Sequence, residues 1–428
     1  MTAQPMDAPG DVINHSVESG NGVPAPAVRV ADAHSSPAQA TPFVPPEVEV
    51  AGHKMRIFVE SPPLFESMVR DILAAKERIW LETYIFFPDA GGQAVAEALK
   101  KRAAEGLDVR VLYDALGSQA AGTRFFHDMQ HAGIKVHAYH GLWEAFRRLS
   151  PLTVLNRRDH RKLLVIDQQV AYFGGMNIID RQSVGHVHAT APPLTPSAGW
   201  RDVHIRMEGP QQSDVSESFD RSWRRAQGLP ITRRPRAYRR GQLPISDESI
   251  RFFDSGPGRK HSRAARVFTR LINRSHHRIT MSMAYFIPVG RVLRSLLAAR
   301  RRGVRIRVIT PGHSDVLMAQ YASTHLYTRL LKRGVRIYLR ERRMLHAKVI
   351  VVDSQWTVVG SCNMDPRSLW INLEFMAVIR SAALAREMEK ICAYEMQRSR
   401  PAQRTDYLHP GTWTRMRNAV AWNIRWWL

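Results

Sequence analysis

A short pattern of chemically capable residues occurs twice in this chain. In the first copy, His160 and Lys162 are followed by Asp167, a pair of glycines and Asn177. The second copy begins 186 residues later and keeps every internal spacing; it comprises His346, Lys348, Asp353, Gly360, Ser361 and Asn363. A histidine, a lysine and an asparagine supplied twice are what one phosphodiester site at the junction of two similar halves would need. We therefore predict a single site built from both copies.

The lysines and asparagines of the two copies are suited to hold a phosphate group. They could bind the non-bridging oxygens of one phosphate and stabilise its five-coordinate transition state. These candidate residues are Lys162, Lys348, Asn177 and Asn363. Because the lysines supply the positive charge that a metal ion would otherwise bring, we expect neither a metal nor another cofactor.

The two histidines suit a displacement in two steps. A neutral imidazole could attack phosphorus, and a protonated imidazole could give its proton to the leaving oxygen. The two rings would then have to be held in different protonation states. Asp202 and Glu374 lie downstream of the two motifs. Each could bond to the far ring nitrogen of a histidine and fix its tautomer and orientation.

Apolar runs after each His-Lys pair predict the strands that position the motifs. These runs are Leu163 to Ile166 and Val349 to Val352. Since side chains two apart on a strand share a face, the histidine and lysine of each copy should point the same way. A turn at each aspartate leads into a second apolar run, Val170 to Phe173 or Thr357 to Val359. The glycines then let the backbone approach a ligand closely and return the asparagine to the site.

The duplication extends beyond the motifs. Arg78 to Pro88 resembles Arg278 to Pro288, Gly106 to Tyr113 resembles Gly303 to Thr310, and Ala132 to Val136 resembles Arg333 to Ile337. Helical patterns separate these β-rich pieces, for example Gly92 to Glu105 and Arg291 to Arg302. This alternation predicts an α/β fold of two similar domains, each a mixed, largely parallel sheet flanked by helices.

Composition divides the chain further. Residues 1–48 contain eight prolines, one aromatic residue and no lysine, so we expect a disordered arm. The polar stretch 230–247 is predicted to link domains at 49–229 and 248–400. Residues 401–428 form a tail rich in tryptophan and arginine.

The net charge of +24 predicts an anionic partner: nucleic acid, an acidic membrane surface or a phosphate-bearing substrate. The only two cysteines, Cys362 and Cys392, suit a reducing compartment and exclude a disulfide framework. The chain has no basic start followed by an apolar run and no run of 18 apolar residues. We therefore expect neither a signal peptide nor a transmembrane helix, and a cytoplasmic protein.

The two motifs resemble the paired His-Lys-Asp signature of the phospholipase D superfamily. The resemblance is closer to bacterial cardiolipin synthases, and closest to their short B type, over about residues 50–400. It is supported by the segments Leu81 to Phe86, Trp200 to Asp202, Met207 to Pro210, Arg342 to Lys348, Val359 to Leu369 and Asn372 to Glu374.

This resemblance implies two pseudo-symmetric domains with the active site at their junction. It implies a covalent phosphohistidine and no metal, with His160 as the nucleophile and His346 as the acid. It places Asp167 and Asp353 among the catalytic residues. It also takes the acidic partner of each histidine from the opposite half, pairing His160 with Glu374 and His346 with Asp202.

The activity implied is transfer of a phosphatidyl group from phosphatidylglycerol to a second phosphatidylglycerol, with release of glycerol. The implied partners are anionic phospholipids at the cytoplasmic face of the inner membrane, with peripheral attachment and no nucleic acid. Alternatives are a phospholipase D-type phosphodiesterase acting on lipid or nucleic acid, and phosphatidylglycerol synthesis from phosphatidylethanolamine and glycerol. A binding protein with an inactive site is a further alternative. The oligomeric state stays open.

Longer cardiolipin synthases carry two N-terminal membrane spans, where this chain has the arm described above. The C-terminus offers another attachment. A helix over residues 412–428 would gather one apolar side, made of Trp413, Met416, Val420, Ile424, Trp427 and Leu428. Such a helix could lie on anionic lipid, or it could close the second domain by packing on it.

Overall fold

Two eight-stranded sheets, one from each half of the chain, form the centre of the molecule. The computed structural model describes residues 44–139, 156–180, 199–209, 212–231, 242–244, 246–256, 262–407 and 411–426. The described residues belong to one compact unit.

The first sheet is built from the first half. Its strands are β1 (Val48–Val50), β2 (His53–Phe58), β3 (Arg78–Thr83), β4 (Asp108–Asp114), β5 (Lys135–Tyr139), β6 (Leu163–Ile166), β7 (Val170–Gly174) and β8 (His204–Glu208). The accompanying helices are α1 (Ser61–Ala74), α2 (Ala90–Ala104), α3 (Gly122–His131) and α4 (Gln212–Ala226). The spatial order of the strands is β1-β2-β8-β7-β6-β3-β4-β5.

The second sheet is built from the second half. Its strands are β9 (Ser249–Ser255), β10 (Arg278–Met283), β11 (Arg305–Pro311), β12 (Arg336–Arg340), β13 (Lys348–Val352), β14 (Trp356–Gly360), β15 (Glu374–Arg380) and β16 (Arg400–Pro401). The helices are α5 (Arg263–Asn273), α6 (Gly290–Arg301), α7 (Leu317–Lys332), α8 (Pro366–Trp370), α9 (Ala382–Gln397) and α10 (Thr412–Asn423). The spatial order is β16-β12-β11-β10-β13-β14-β15-β9.

Both sheets are mixed, and the predicted α/β fold of two similar halves is confirmed. The expectation of largely parallel sheets is wrong. Only β3–β4–β5 and β10–β11–β12 run parallel, and the other five pairings of each sheet are antiparallel. One of these antiparallel pairings in each sheet is the hairpin of the motif itself, β6–β7 or β13–β14, because a hairpin joins antiparallel strands without a crossover helix.

The core has three layers. Helices α1 to α3 cover the outer face of the first sheet, where Phe86 is fully buried. Helices α5 to α7 cover the outer face of the second sheet, where Phe286 holds the corresponding position. Between the sheets lies a core shared by both halves. There three phenylalanine rings pack together. The ring centroid of Phe252 lies 5.5 Å from that of Phe173 and 5.6 Å from that of Phe375, and the last two are 6.1 Å apart.

The local predictions are confirmed to within a residue or two. The strands β6, β7, β13 and β14 occupy the four predicted apolar runs, and α2 and α6 occupy the two predicted helical patterns. Asp89 caps α2 by accepting from the N–H of Gly92, 2.9 Å away, which fixes where that helix begins.

The predicted arm and linker fall mostly outside the described residues. Strand β1 begins at Val48, at the predicted end of the arm. The domain boundaries stay predictions. Among the helices of the described ranges, none has the length and apolar character needed to cross a bilayer.

Candidate active site

His160 lies where the first motif meets the second half of the molecule. Its Nδ1 is 3.1 Å from both carboxylate oxygens of Glu374, the first residue of β15. The backbone N–H of His160 donates to the carbonyl of Leu373, 3.0 Å away, and that of Leu373 donates to the carbonyl of Arg158, 2.9 Å away. These backbone bonds hold the histidine beside a carboxylate from the other half.

The second motif repeats the arrangement with the halves exchanged. Nδ1 of His346 is 2.7 Å from Oδ2 of Asp202. The backbone N–H of His346 donates to the carbonyl of Arg201, 2.6 Å away, and that of Arg201 donates to the carbonyl of Met344, 2.8 Å away. Each histidine thus takes its carboxylate from the opposite half, which is the pairing that the resemblance implies.

The two lysines lie beside the histidines of their own motifs. Nζ of Lys162 donates to the carbonyl of His160, 2.6 Å away. Nζ of Lys348 is 2.6 Å from Nδ1 and 3.1 Å from Nε2 of His346. Both lysines are almost fully buried. Nζ of Lys348 also lies 3.8 Å from Oδ2 of Asp202, and the positive charges of both lysines act on Glu374. The lysines therefore concentrate positive charge beside the two histidine–carboxylate pairs.

The two asparagines line the cleft that contains both histidines. Oδ1 of Asn177 accepts from the backbone N–H of Ile85, 3.3 Å away. Oδ1 of Asn363 is buried and has no hydrogen-bond partner among the described residues. A buried polar atom of this kind on the wall of a cleft is suited to contact a ligand.

Burial sets the protonation of the first pair. It lowers the pKa of His160 well below its usual value, and the positive charges of Lys162 and Lys348 lower it further. The imidazole is therefore neutral near neutral pH, the form that can attack phosphorus. Burial also raises the pKa of Glu374 to about 8, against the effect of Lys162. When Glu374 is ionised, Nδ1–H donates to it and the lone pair of Nε2 is free, so this form becomes more populated as pH rises.

Asp167 and Asp353 are not brought to the site, and we correct their predicted catalytic role. The carboxylate of Asp167 accepts from the backbone N–H groups of residues 76, 77 and 78, at 2.8–3.0 Å. That of Asp353 accepts from those of residues 276, 277 and 278, at 2.8–2.9 Å. Five residues of extended chain, about 16 Å, separate each aspartate from the motif lysine. Each aspartate has a φ of 51° and fixes the hairpin turn to the start of β3 or β10.

Gly175, in the glycine pair of the first motif, has a further role, and the predicted close approach to a ligand stays a prediction. A Cβ added to Gly175 would lie 2.1 Å from Oδ1 of Asp202, so the glycine makes room for this carboxylate. The corresponding residue of the second motif is Ser361. Its hydroxyl donates to Glu374. Sequence reasoning missed this role of Ser361, because the contact joins positions 13 residues apart.

Three aromatic side chains adjoin the histidines, and none was predicted as a site residue. The ring of Tyr84 meets that of His160 edge-on, with centroids 5.2 Å apart. The centroids of Trp200 and Tyr285 lie 5.1 and 6.4 Å from that of His346. Tyr84 and Tyr285 belong to duplicated segments, which was the available signal.

The cleft between the halves has a volume of about 550 Å³. Its apolar lining comes from both halves: Phe87, Leu116, Ile179, Ile287, Val316 and Met318. A polar centre within apolar walls suits an amphipathic substrate. In the part of the chain that the structure describes, no three His, Cys, Asp or Glu side chains come together as metal ligands would.

Comparison with known proteins agrees with this architecture. The family model described as "Cardiolipin synthase, PLD-like domain" matches residues 68–188 and 268–395. A cardiolipin synthase A of Pseudomonas aeruginosa (strain UCBPP-PA14) is 32% identical over 346 residues, or 79% of this chain and 66% of that protein. The chain thus spans slightly less than two thirds of that relative. The major cardiolipin synthase of Bacillus subtilis (strain 168) is 30% identical over 83% of this chain and 72% of its own length.

Solved structures share the fold at low sequence identity. Phosphatidylserine synthase of Haemophilus influenzae Rd KW20 has a TM-score of 0.65 at 15% identity, covering 87% of this chain and 95% of that one. Polyphosphate kinase of Porphyromonas gingivalis has a TM-score of 0.54 at 14% identity, covering 80% and 47%.

Two similar halves, each lining one cleft with a histidine and an asparagine and placing a lysine beside the histidine, define a protein of the phospholipase D superfamily. The chain belongs to the cardiolipin synthase family of phospholipase D-like domains. These relatives are named cardiolipin synthase A or major cardiolipin synthase, so the resemblance to the B type stays a prediction.

Proposed function

We propose that this protein is a phosphatidyltransferase that makes cardiolipin. It would transfer a phosphatidyl group from one phosphatidylglycerol to another and release glycerol. The observation that carries the proposal is the pairing of His160 with Glu374 and of His346 with Asp202 in one cleft. Membership of the cardiolipin synthase family supports the choice of lipid.

In the first step, His160 is the nucleophile. Its Nε2 attacks the phosphorus of phosphatidylglycerol while Glu374 holds the Nδ1–H. The bond from phosphorus to the glycerol oxygen breaks, and protonated His346 gives its Nε2 proton to that oxygen. Glycerol leaves, and the phosphatidyl group stays on His160.

In the second step, the hydroxyl of a second phosphatidylglycerol gives its proton to Nε2 of His346 and attacks phosphorus. The N–P bond breaks, cardiolipin forms and both histidines return to their starting states. A phosphodiester replaces a phosphodiester, so the overall exchange is nearly isoenergetic and should reverse with excess glycerol.

Four further side chains would stabilise the transition states. Lys162 and Lys348 would neutralise the charge on the non-bridging oxygens, and Asn177 and Asn363 would donate hydrogen bonds to them. Fixed donors in a buried site need little reorganisation as charge develops.

The cleft favours lipid over nucleic acid as the substrate. A nuclease of the same superfamily would also suit the net charge of +24. The apolar side chains that line the cleft from both halves favour the acyl chains of a lipid instead. We propose that the enzyme works on anionic phospholipids at the cytoplasmic face of the cell membrane, attached peripherally.

Incubating the protein with phosphatidylglycerol vesicles and resolving the lipids by mass spectrometry tests the proposal. We expect cardiolipin and an equal amount of glycerol. Phosphatidic acid as the only lipid product would make the protein a hydrolase. Cleavage of single-stranded DNA with no change in lipid would make it a nuclease.

A further inference from the structure

The outermost helix of the second half, α10, presents its apolar stripe to solvent. Trp413, Met416, Val420 and Ile424 are exposed by 71%, 51%, 52% and 40%. They follow one another at helical spacing on one side of the helix. A helix that only closed the second domain would turn this stripe inward.

The opposite side of α10 attaches it to the protein. Ala421 is fully buried and packs with Ala319 and Ala322 of α7. Asn418 is buried too. Trp422 stacks on His325, with centroids 5.3 Å apart. The helix is thus held through Asn418, Ala421 and Trp422, and the four residues of the stripe stay exposed on its other side.

This attachment packs α10 directly behind residues that line the active-site cleft. The cluster that contains Ala421 also contains Ile287, and Met318 packs against it. Both Ile287 and Met318 line the cleft. At the C-terminal end of the helix, Trp426 lies 5.3 Å from Trp370 of α8, centroid to centroid.

Exposed apolar residues occur on both sides of the opening. Val316 and Leu317, at the start of α7, are exposed by 38% and 43%. Leu116, which follows β4 in the first half, is exposed by 43%. Leu116 and Val316 line the cleft and follow equivalent strands of the two sheets. We term this surface the apolar rim. It consists of the exposed stripe of α10 together with Leu116, Val316 and Leu317.

The charge beside the rim identifies its partner. Residues 411–426 contain three arginines and no carboxylate. Arg415 is exposed, Arg417 lies 3.8 Å from the ring centroid of Tyr321 and Arg425 lies 4.0 Å from that of Trp422. Tryptophan beside arginine suits the boundary between acyl chains and anionic headgroups.

We propose that the apolar rim is a docking surface for an anionic lipid bilayer, and that it turns the mouth of the cleft toward the membrane. The rim enters the acyl region while the arginines meet the headgroups. A phospholipid then reaches His160 and His346 by sliding into the cleft, without leaving the bilayer. This inference rests on the proposed function, since it names the surface from which that lipid would be taken.

The test compares full-length wild-type protein with a variant carrying Trp413→Ser, Met416→Ser and Val420→Ser. Binding to vesicles of phosphatidylglycerol and phosphatidylcholine is measured by sedimentation, and folding by thermal denaturation. We expect vesicle affinity to fall about tenfold or more, with an unchanged melting temperature because these side chains are exposed. Leu116→Ser alone, on the opposite side of the opening, should lower affinity about threefold.

Leu73→Ser is the matched control. Leu73 is an exposed leucine, 39% accessible, at the C-terminal end of α1 and away from the rim. The Leu73→Ser variant should bind vesicles like wild type.

Unchanged vesicle affinity of the triple variant would overturn the proposal. A large loss of thermal stability in that variant would also overturn it, because it would show that the stripe belongs to the core. A wild-type dimer that the substitutions convert to a monomer, with vesicle affinity retained, would show that a second copy covers the rim. Wild-type protein that docks through the rim but makes no cardiolipin would contradict only the proposed function.

Discussion

At the scale of single residues, the two histidines have different surroundings although their backbone segments are alike. His160 faces Glu374, which also accepts from the hydroxyl of Ser361. His346 faces Asp202, which lies against the bare backbone of Gly175. A duplicated site that needs one nucleophile and one acid has to break its own symmetry, and these contacts are where the halves differ.

The hydroxyl of Ser361 should tune the nucleophile. It helps to hold down the pKa of Glu374, which burial raises to about 8. Without it that pKa rises further, and the form with a free Nε2 on His160 requires a higher pH. For Ser361→Ala we expect the acid limb of the rate of phosphoenzyme formation to move up by about one pH unit. Stopped-flow rates measured across the limb check this. A profile that stays in place or moves down would contradict it.

Asp167 should matter for folding rather than for chemistry. Its carboxylate accepts three backbone N–H groups far from the cleft. Asp167→Asn keeps the turn conformation but replaces one acceptor with an NH₂ group. We expect a loss of about 1–3 kcal/mol in the free energy of unfolding and near-normal turnover well below the melting temperature. Denaturant titration and product assays check this. Turnover lost in a stable variant would restore the catalytic role.

At the scale of elements, the site depends on two short segments that cross between the halves. One of them, around residue 201, is fixed by an ion-pair network. Arg201 pairs with Glu60 at 2.7 Å and with Glu395 at 2.8 Å. Arg343 also binds Glu60, and Arg340 also binds Glu395. The network joins α9 to the first half, next to the carboxylate that holds His346.

Breaking this network should weaken both stability and catalysis. Arg201→Ala leaves Glu395, which is 2% exposed, with one partner fewer. We expect a loss of about 3–5 kcal/mol in the free energy of unfolding and lower kcat as the neighbouring Asp202 shifts. Denaturant titration and assays on vesicles check this. Lys135→Ala serves as the control, because Lys135 is 61% exposed and its partner Asp108 keeps a second ion pair with Arg110. An Arg201→Ala variant as stable and active as this control would contradict the prediction.

The sequence located the elements of the site better than it described their connections. Local spacing determines the positions of the His, Lys and Asn residues and of the hairpins around them. Because the same spacing occurs twice in the chain, it could be recognised from the sequence. Strand direction in the sheets was misjudged because helical patterns between some strands suggested that most neighbours were parallel. The role of Asp167 was misjudged because its partners lie about 90 residues away. The pairing of each histidine with a carboxylate across the halves came from family resemblance, since no local pattern encodes it.

At the scale of the whole molecule, two features would attract the protein to an anionic bilayer: its net charge of +24 and the apolar rim beside the cleft. The two attractions to a bilayer respond differently to salt. Added salt screens the charges, reducing the Debye length to about 3 Å near 1 M, and leaves apolar burial intact. We expect binding to anionic vesicles to weaken strongly with salt and to level off above zero. Sedimentation over a salt series measures this. Complete release at high salt would show that the rim contributes nothing.

The central claim is that the two halves form one site in which His160 carries the phosphatidyl group. It is tested most directly by trapping that group with a substrate whose leaving group needs no acid. His346→Ala protein is mixed with such an activated phosphatidyl ester, quenched and mapped by mass spectrometry. We predict a phosphatidyl adduct on His160, and none at either position in His160→Ala protein. An adduct on His346 in His160→Ala protein, with His160 unmodified in the other variant, would contradict the account.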